Sequence, residues 1–463
     1  MSRTKDLIKN TGILMVGKVS TQFVSFLLLP LYTNKLSTGE YGILDLYTTI
    51  AGILIPILTL QLEQGVFRFM VTSEEKKENV VTSSFVYLIF AALLMTILFF
   101  PIARLLKLDD AIYVYGYYLT YMFYVVIVQI ARGEGNNAFY SFASFLSSLL
   151  IIIFNIIFLL PCKMGVEGIL LSHVISYIAT ICTLIVFLGT FQIIKIKFFS
   201  IDCLKRLLKY SIPLVFNQIS SWIINYSDRI IIVAVLGVSA NGIYALANKF
   251  FALLVTVFNI YNMAWTELVA KTIHDEDRND YYRKVVNLTI QIYFLLSIWV
   301  IAGLGVAFKL FFNVSYHDAY NYIPILVVAA IFSGLSATVG SIYIGHKETK
   351  SIGITTMGAA IVNALVHVAL IGFVGLYAAS ISTLVAFIVL FIYRIYGLRK
   401  IERIKINTNN FIVLVPVLML VWYLYLTGEI LLQVLSIVIA LIVTALILFR
   451  NKDLILGFIK SRK

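Results

Sequence analysis

The stretch Trp222–Phe250, W-I-I-N-Y-S-D-R-I-I-I-V-A-V-L-G-V-S-A-N-G-I-Y-A-L-A-N-K-F, decides the fold. It reads as two apolar spans joined by a short turn over Leu236–Asn241. Asp228 and Arg229 lie inside the first span and Lys249 inside the second. Arg229 precedes the turn by seven residues and Lys249 follows it by eight. At about 1.5 Å rise per residue, both cations are expected roughly 10–12 Å below one membrane surface. A lone cation at a membrane helix centre costs about 2.5–3.5 kcal/mol on insertion scales, so it faces a partner or a wet cavity. Two cations and one anion at one depth point to a resting place for a negatively charged substrate. The structural alternative is an Asp228 salt bridge between two helices, with Lys249 snorkelling outward.

The composition around this stretch agrees. Of 463 residues, 61% are hydrophobic and 13% charged, against about 45–50% apolar and 25% charged in soluble proteins. The chain is read as a polytopic membrane protein. Apolar runs of about 20 residues exclude a porin-type barrel, whose strands alternate over about ten. The polar start Ser2–Asn10 and the full-length run after it argue against a cleavable signal peptide. A net charge of +13 invites a nucleic-acid reading, but the basic residues are spread over short loops on one side, as the positive-inside rule requires. No nucleic-acid partner is expected. Cys162, Cys182 and Cys203 are scattered and form neither a disulfide framework nor a zinc motif. His274–Asp277 reads as a solvated loop and Arg132–Gly135 as a turn, so no metal is expected. No nucleophile–base constellation and no nucleotide-binding domain is found, so neither an enzyme nor an ATP-driven pump is supported, and no cofactor is expected.

The apolar runs give an all-α protein of about fourteen spans. Six fall near 12–32, 43–65, 80–102, 112–130, 139–161 and 166–191. Six more fall near 210–236, 241–263, 285–308, 323–344, 352–372 and 376–396, and a last pair near 411–426 and 430–449. Pro56 is the expected kink in the second span. The domains are an N-terminal six-helix bundle (1–192), an amphipathic basic linker (193–209), a second six-helix bundle (210–398), and a basic linker, helix pair and tail (399–463). On this placement 27 of the 36 Lys and Arg lie on the inner side, 5 outside and 4 within spans, which puts both termini in the cytoplasm.

The two bundles look like repeats. A shift of 200 residues aligns Leu36, Gly42, Ile43 and Leu46 with Leu236, Gly242, Ile243 and Leu246. A shift of 210 aligns Gly165 and Ser172 with Gly375 and Ser382. Bundles of six spans in one orientation are parallel repeats about an axis along the membrane normal, an arrangement of transporters. Polar residues concentrate on the paired spans. Span seven carries Gln218, Ser221, Asn225, Asp228 and Arg229 at spacings that share a helix face. Span one carries Lys18, Thr21, Gln22 and Ser25, span two Asp45, Thr49 and Glu63, and span eight Asn248 and Lys249. Spans three, four, thirteen and fourteen are nearly uniformly apolar by comparison. Polar faces in lipid must meet each other or water. They line a central wet cavity or serve as polar glue between helices.

Several short motifs carry a resemblance. They are Pro30-Leu31-Tyr32-Thr33, Leu36-Ser37, Glu40-Tyr41-Gly42, Gly165-Val166-Glu167-Gly168, Ser211-Ile212-Pro213-Leu214, Asp228-Arg229-Ile230-Ile231-Ile232, Leu236-Gly237 and Gly242-Ile243-Tyr244-Ala245. With them the chain resembles the polysaccharide-biosynthesis flippases (O-antigen and capsule type) of the multidrug/oligosaccharidyl-lipid/polysaccharide exporter superfamily. The resemblance implies two six-helix bundles, alternating access and a location in the bacterial cytoplasmic membrane. It implies an undecaprenyl-diphosphate-linked oligosaccharide as cargo, membrane lipids as surroundings, and a polysaccharide polymerase or glycosyltransferases as protein partners. Arg229 and Lys249 are then candidates for an outer diphosphate site, with Asn225 and Asn248 beside them. Lys18, Gln22 and Arg68 are candidates for capture from the inner leaflet. Asp45, Glu63 and Asp228 couple to protons or sodium, or pair with these cations. The alternatives are a peptidoglycan lipid-precursor flippase, an ion-coupled multidrug antiporter, whose cationic drugs would favour carboxylates and aromatics, and a non-transporting scaffold.

Overall fold

The structure, a computed structural model, describes residues 24–72, 75–189, 193–399, 401–402 and 407–451. Twelve helices among them are long and apolar enough to cross a membrane. The first expected span falls mostly on residues 12–23, outside the described residues. The chain forms two compact units, Met1–Ile230 and Ile231–Lys463.

The first unit holds α1 (Leu29–Lys35), α2 (Thr38–Thr59), α3 (Leu62–Thr72), α4 (Lys77–Leu105), α5 (Ala111–Gly133), α6 (Asn137–Leu159), α7 (Val166–Phe187) and most of α8 (Ile201–Leu236). The Ser37-Thr38-Gly39-Glu40 turn starts α2 through a capping box. The Ser37 Oγ accepts from the Glu40 amide at 3.2 Å, and the Glu40 carboxylate accepts from the Ser37 amide at 2.7 Å. Two orphan helix donors are thereby satisfied. α5 packs on α7 and α3, and α6 on α7.

The second span is broken rather than bent. Leu60 and Gln61 both take positive φ, 49° and 55°, a left-handed geometry that β-carbon sterics disfavour. Pro56 lies one turn upstream, and the backbone bonds shift there: Gln61 N donates to Pro56 O at 3.2 Å and Leu60 N to Ile57 O at 3.3 Å. The Tyr87 hydroxyl, from α4, donates to Leu58 O at 3.0 Å. Irregular backbone inside a membrane protein persists only where such partners exist.

The linker after α7 is anchored to α4. Thr82 Oγ1 donates to Ile193 O at 3.1 Å, and Ser83 Oγ to Ser200 O at 3.2 Å. Residues Ile196–Phe198 make one 3₁₀ turn. From Ile201 the basic residues of the linker run without a break into α8.

The second unit holds α9 (Val238–Thr272), α10 (Arg278–Phe311), α11 (Ala319–Gly345), α12 (Thr349–Val374), α13 (Tyr377–Leu398), α14 (Thr408–Leu426) and α15 (Ile430–Arg450). α9 and α10 overrun their apolar windows into the charged segment between them, where Lys271 and Glu267 pair one turn apart at 2.5 Å. α11 is the hub, packed on α9, α10 and α13. Its apolar window is 78% buried, against at most 50% in any other such helix. Small residues allow this. A β-carbon on Gly334 would lie 2.6 Å from Tyr293 and 2.7 Å from Phe258, whose rings stack there at 3.8 Å. α14 and α15 pack on α10 with polar ties inside the apolar contact. Gln291 donates to Asn410 at 3.1 Å and Trp299 to Thr444 at 3.0 Å.

Candidate intramembrane charge site

α2 and α8 run antiparallel where they meet. Trp222 Nε1 donates to Thr49 O at 2.8 Å, and Gly52 leaves the indole its room, since a β-carbon there would lie 3.4 Å from the ring. Two turns along α8 from Trp222, the Arg229 Nε donates to Asp45 Oδ2 at 2.9 Å. Both residues are buried, at 5% and 6% exposure. The Arg229 Nη1 also donates to Asn225 O at 3.4 Å, and the guanidinium carbon sits 5.1 Å from the Tyr226 ring centroid. The carboxylate facing Arg229 is thus Asp45, 184 residues away in sequence, while the adjacent Asp228 is also buried, at 5% exposure. Such a pair is costly to desolvate and more costly to break, because the survivor is left charged in a low-dielectric surrounding. A guanidinium held this way has donors in a planar fork suited to phosphate as well as to carboxylate.

Glu63 lies one residue past the helix break, at 8% exposure. Its Oε2 accepts from Thr59 Oγ1 at 3.1 Å, across the break. No Lys or Arg among the described residues pairs with it. Arg68 is exposed on α3. Lys18 and Gln22 lie outside the described residues.

Lys249 and Asn248 belong to the second unit and are half-buried, with Asn248 Nδ2 3.5 Å from the Tyr244 hydroxyl. The turn between α8 and α9 is one residue, Gly237, with φ 88°, a conformation that favours glycine. Lys249 therefore stands eleven residues into α9 from Val238, roughly 16 Å of rise, against roughly 10 Å for Arg229 from the end of α8. The equal depth expected from a six-residue turn does not hold along the helices.

The sequence reading passed over one buried cation. Arg394, on α13 at 7% exposure, lies inside the span expected at 376–396 and was not singled out there. Its Nη1 donates to Ser336 O at 2.7 Å, its Nη2 to Thr356 Oγ1 at 2.9 Å and its Nε to Thr355 Oγ1 at 3.2 Å. Among the described residues it meets no carboxylate. A strongly polar residue in an apolar run was the available signal. No group of three His, Cys, Asp or Glu among the described residues is placed to hold a metal.

The sequence profile of a family described as polysaccharide biosynthesis protein matches residues 7–266. No curated protein matches the chain. Among solved structures, the fold is similar to the lipid II flippase MurJ in an inward closed conformation. The TM-score is 0.67 at 15% identity, covering 97% of this chain and 100% of that one. An inward-facing multidrug resistance MATE family transporter of the MOP superfamily gives 0.66 at 16% identity, covering 84% and 95%. A MOP superfamily transporter from Pyrococcus furiosus, described as having a binding pocket of reversed polarity, gives 0.55 at 17% identity, covering 85% and 95%.

Proposed function

The chain belongs to the polysaccharide biosynthesis protein family, and from that premise we propose that it flips a lipid-diphosphate-linked oligosaccharide across a bacterial cytoplasmic membrane. The observation that supports this is the buried Arg229–Asp45 pair. A cation kept inside a membrane protein by a displaceable carboxylate is neutral when empty and available when a diphosphate arrives. The diphosphate replaces Asp45 as partner, so the anion enters without Arg229 ever facing lipid alone. Fixed donors in a low-dielectric site hold phosphate strongly. Lys249 and Lys18 are further candidates for anion contact on the sequence alone. Glu63, beside a helix break of the kind that lines ion sites in transporters, is the candidate for coupling to a proton or sodium ion. An inner-leaflet start and an outer-leaflet end are what the family resemblance implies.

A lipid-precursor cargo of the lipid II kind shares the diphosphate and forms the second reading, favoured by the full-length likeness to MurJ. A drug antiporter is disfavoured, because a buried arginine repels cationic drugs.

Translocation of fluorescent undecaprenyl-diphosphate oligosaccharide in liposomes tests the proposal. The informative variant is the double substitution Arg229→Gln with Asp45→Asn, which removes both charges of the pair. It is expected to insert normally and to lose transport by on the order of a hundredfold. Unchanged transport per molecule would make the pair structural. Cationic dye uptake under an ion gradient, with no lipid movement, would move the assignment to an antiporter.

A further inference from the structure

α5 was read from sequence as an apolar span, yet it carries Tyr117, Tyr121 and Tyr124, at spacings of four and three that share one helix face. These rings meet Tyr177 and His173 of α7. Tyr117 and Tyr121 lie 5.9 Å apart and 6° from parallel. Tyr177 stacks on Tyr121 at 5.5 Å and on Tyr124 at 4.7 Å. His173 stands edge-on to Tyr117 at 5.4 Å.

Packing alone would be met by phenylalanine, so the hydroxyls are what need explaining. Tyr124 lies beside Ser144 and Ser147. Among the described residues, the hydroxyls of Tyr117, Tyr121 and Tyr177 have no hydrogen-bond partner. Tyr117 and Tyr177 are nevertheless only 5% and 8% exposed. None of these hydroxyls is among the fully buried polar atoms that lack a partner, so each keeps an accessible edge open to water or a ligand. The stack also has a carboxyl neighbour and a route to the charge site. Glu63 and Tyr226 both lie within electrostatic reach of Tyr121, and Tyr226 is the ring facing the Arg229 guanidinium.

We propose that the Tyr117, Tyr121, Tyr124 and Tyr177 stack, edged by His173 and Glu63, is a saccharide-binding shelf of the first unit. A sugar ring has a C–H face that packs on an aromatic face and a rim of hydroxyls that pairs with phenols and a carboxylate. An aromatic body with a polar tip offers both. The shelf rests on the function proposed above: with the diphosphate at Arg229, the first sugar reaches over Tyr226 toward Tyr121. Recognition is by stacking and hydroxyl pairing, so it tolerates different sugars while requiring that one be present.

The test compares binding of two probes to the purified full-length protein: undecaprenyl diphosphate, and the same lipid bearing one N-acetylglucosamine. Wild type is expected to hold the sugar-bearing lipid about tenfold more tightly. Tyr121→Ala removes that margin and leaves binding of the bare lipid unchanged. Tyr177→Phe, which keeps the packing, narrows the margin to about threefold. A margin absent from wild type, or intact in both variants, overturns the shelf while leaving the diphosphate reading standing. If wild type binds neither lipid, the diphosphate reading fails and takes the shelf with it.

Discussion

Arg229 and Arg394 are both buried arginines in membrane-spanning helices, and they are kept there by different means. Arg229 faces a carboxylate, Asp45. Arg394 is held by one carbonyl and two hydroxyls. Those hydroxyls are satisfied without it: Thr355 and Thr356 also donate to Ile352 O at 2.9 and 2.8 Å. Gly340 supplies the space, since a β-carbon there would lie 2.8 Å from the Arg394 Nη1. The difference separates a charge with a replaceable partner from a charge used as a cross-link among α11, α12 and α13. Only the first arrangement can exchange its anion for another. Burial alone therefore does not mark a substrate site, and the identity of the partner does.

One substitution made at both sites tests this contrast. Arg229→Met removes the guanidinium from which buried Asp45 accepts, and is expected to cost about 3–5 kcal/mol of stability, read as a lowered unfolding temperature of the purified protein. Asp45→Leu added to it restores stability without restoring transport. Next in size is Gly340→Ala, which drives a β-carbon into the Arg394 fork and costs about 1–3 kcal/mol. That cost disappears in an Arg394→Met background if the collision is with the guanidinium alone. Arg394→Met by itself strands no opposite charge, so its effect stays within about 1 kcal/mol of zero or stabilises, and transport per molecule is retained. A large loss of transport with normal stability at Arg394 would erase the distinction.

The spans were legible because apolar length is a local property. The expected helices at 139–161, 376–396 and 430–449 appear as Asn137–Leu159, Tyr377–Leu398 and Ile430–Arg450. The break at Leu60–Gln61 was not legible, because neither residue favours positive φ and the only warning, Pro56, lies four residues early. The polar character of Asp45 and Arg229 was legible, but their pairing was not, since nothing in the pattern of α2 names a partner 184 residues on. Tyrosine counts as apolar in a span search, which hid the phenols of α5. Arg394 was hidden inside the span expected at 376–396.

A third way of carrying charge in this fold is to hold a proton, and it gives the smallest of the expected effects. At one end of the first unit, outside the spanning segments, Asp110 faces Glu167, with Asp109 and Glu40 close by. The glycine between them is tight: a β-carbon on Gly165 would lie 3.3 Å from the Glu40 carboxylate and 3.4 Å from that of Glu167. Partial burial first, and then the neighbouring Glu167 carboxylate, push the Asp110 pKa up to about 6 from 3.8. The folded protein therefore binds this proton more tightly than the unfolded chain does. Stability falls as pH rises through about 6, and the penalty is absent below the unfolded value. Unfolding temperatures measured at pH 5 and pH 7 should favour pH 5 in wild type by more than in Asp110→Asn. An equal pH response in both proteins would mean that Asp110 does not carry this proton, and Glu167→Gln would then be the variant that flattens the response.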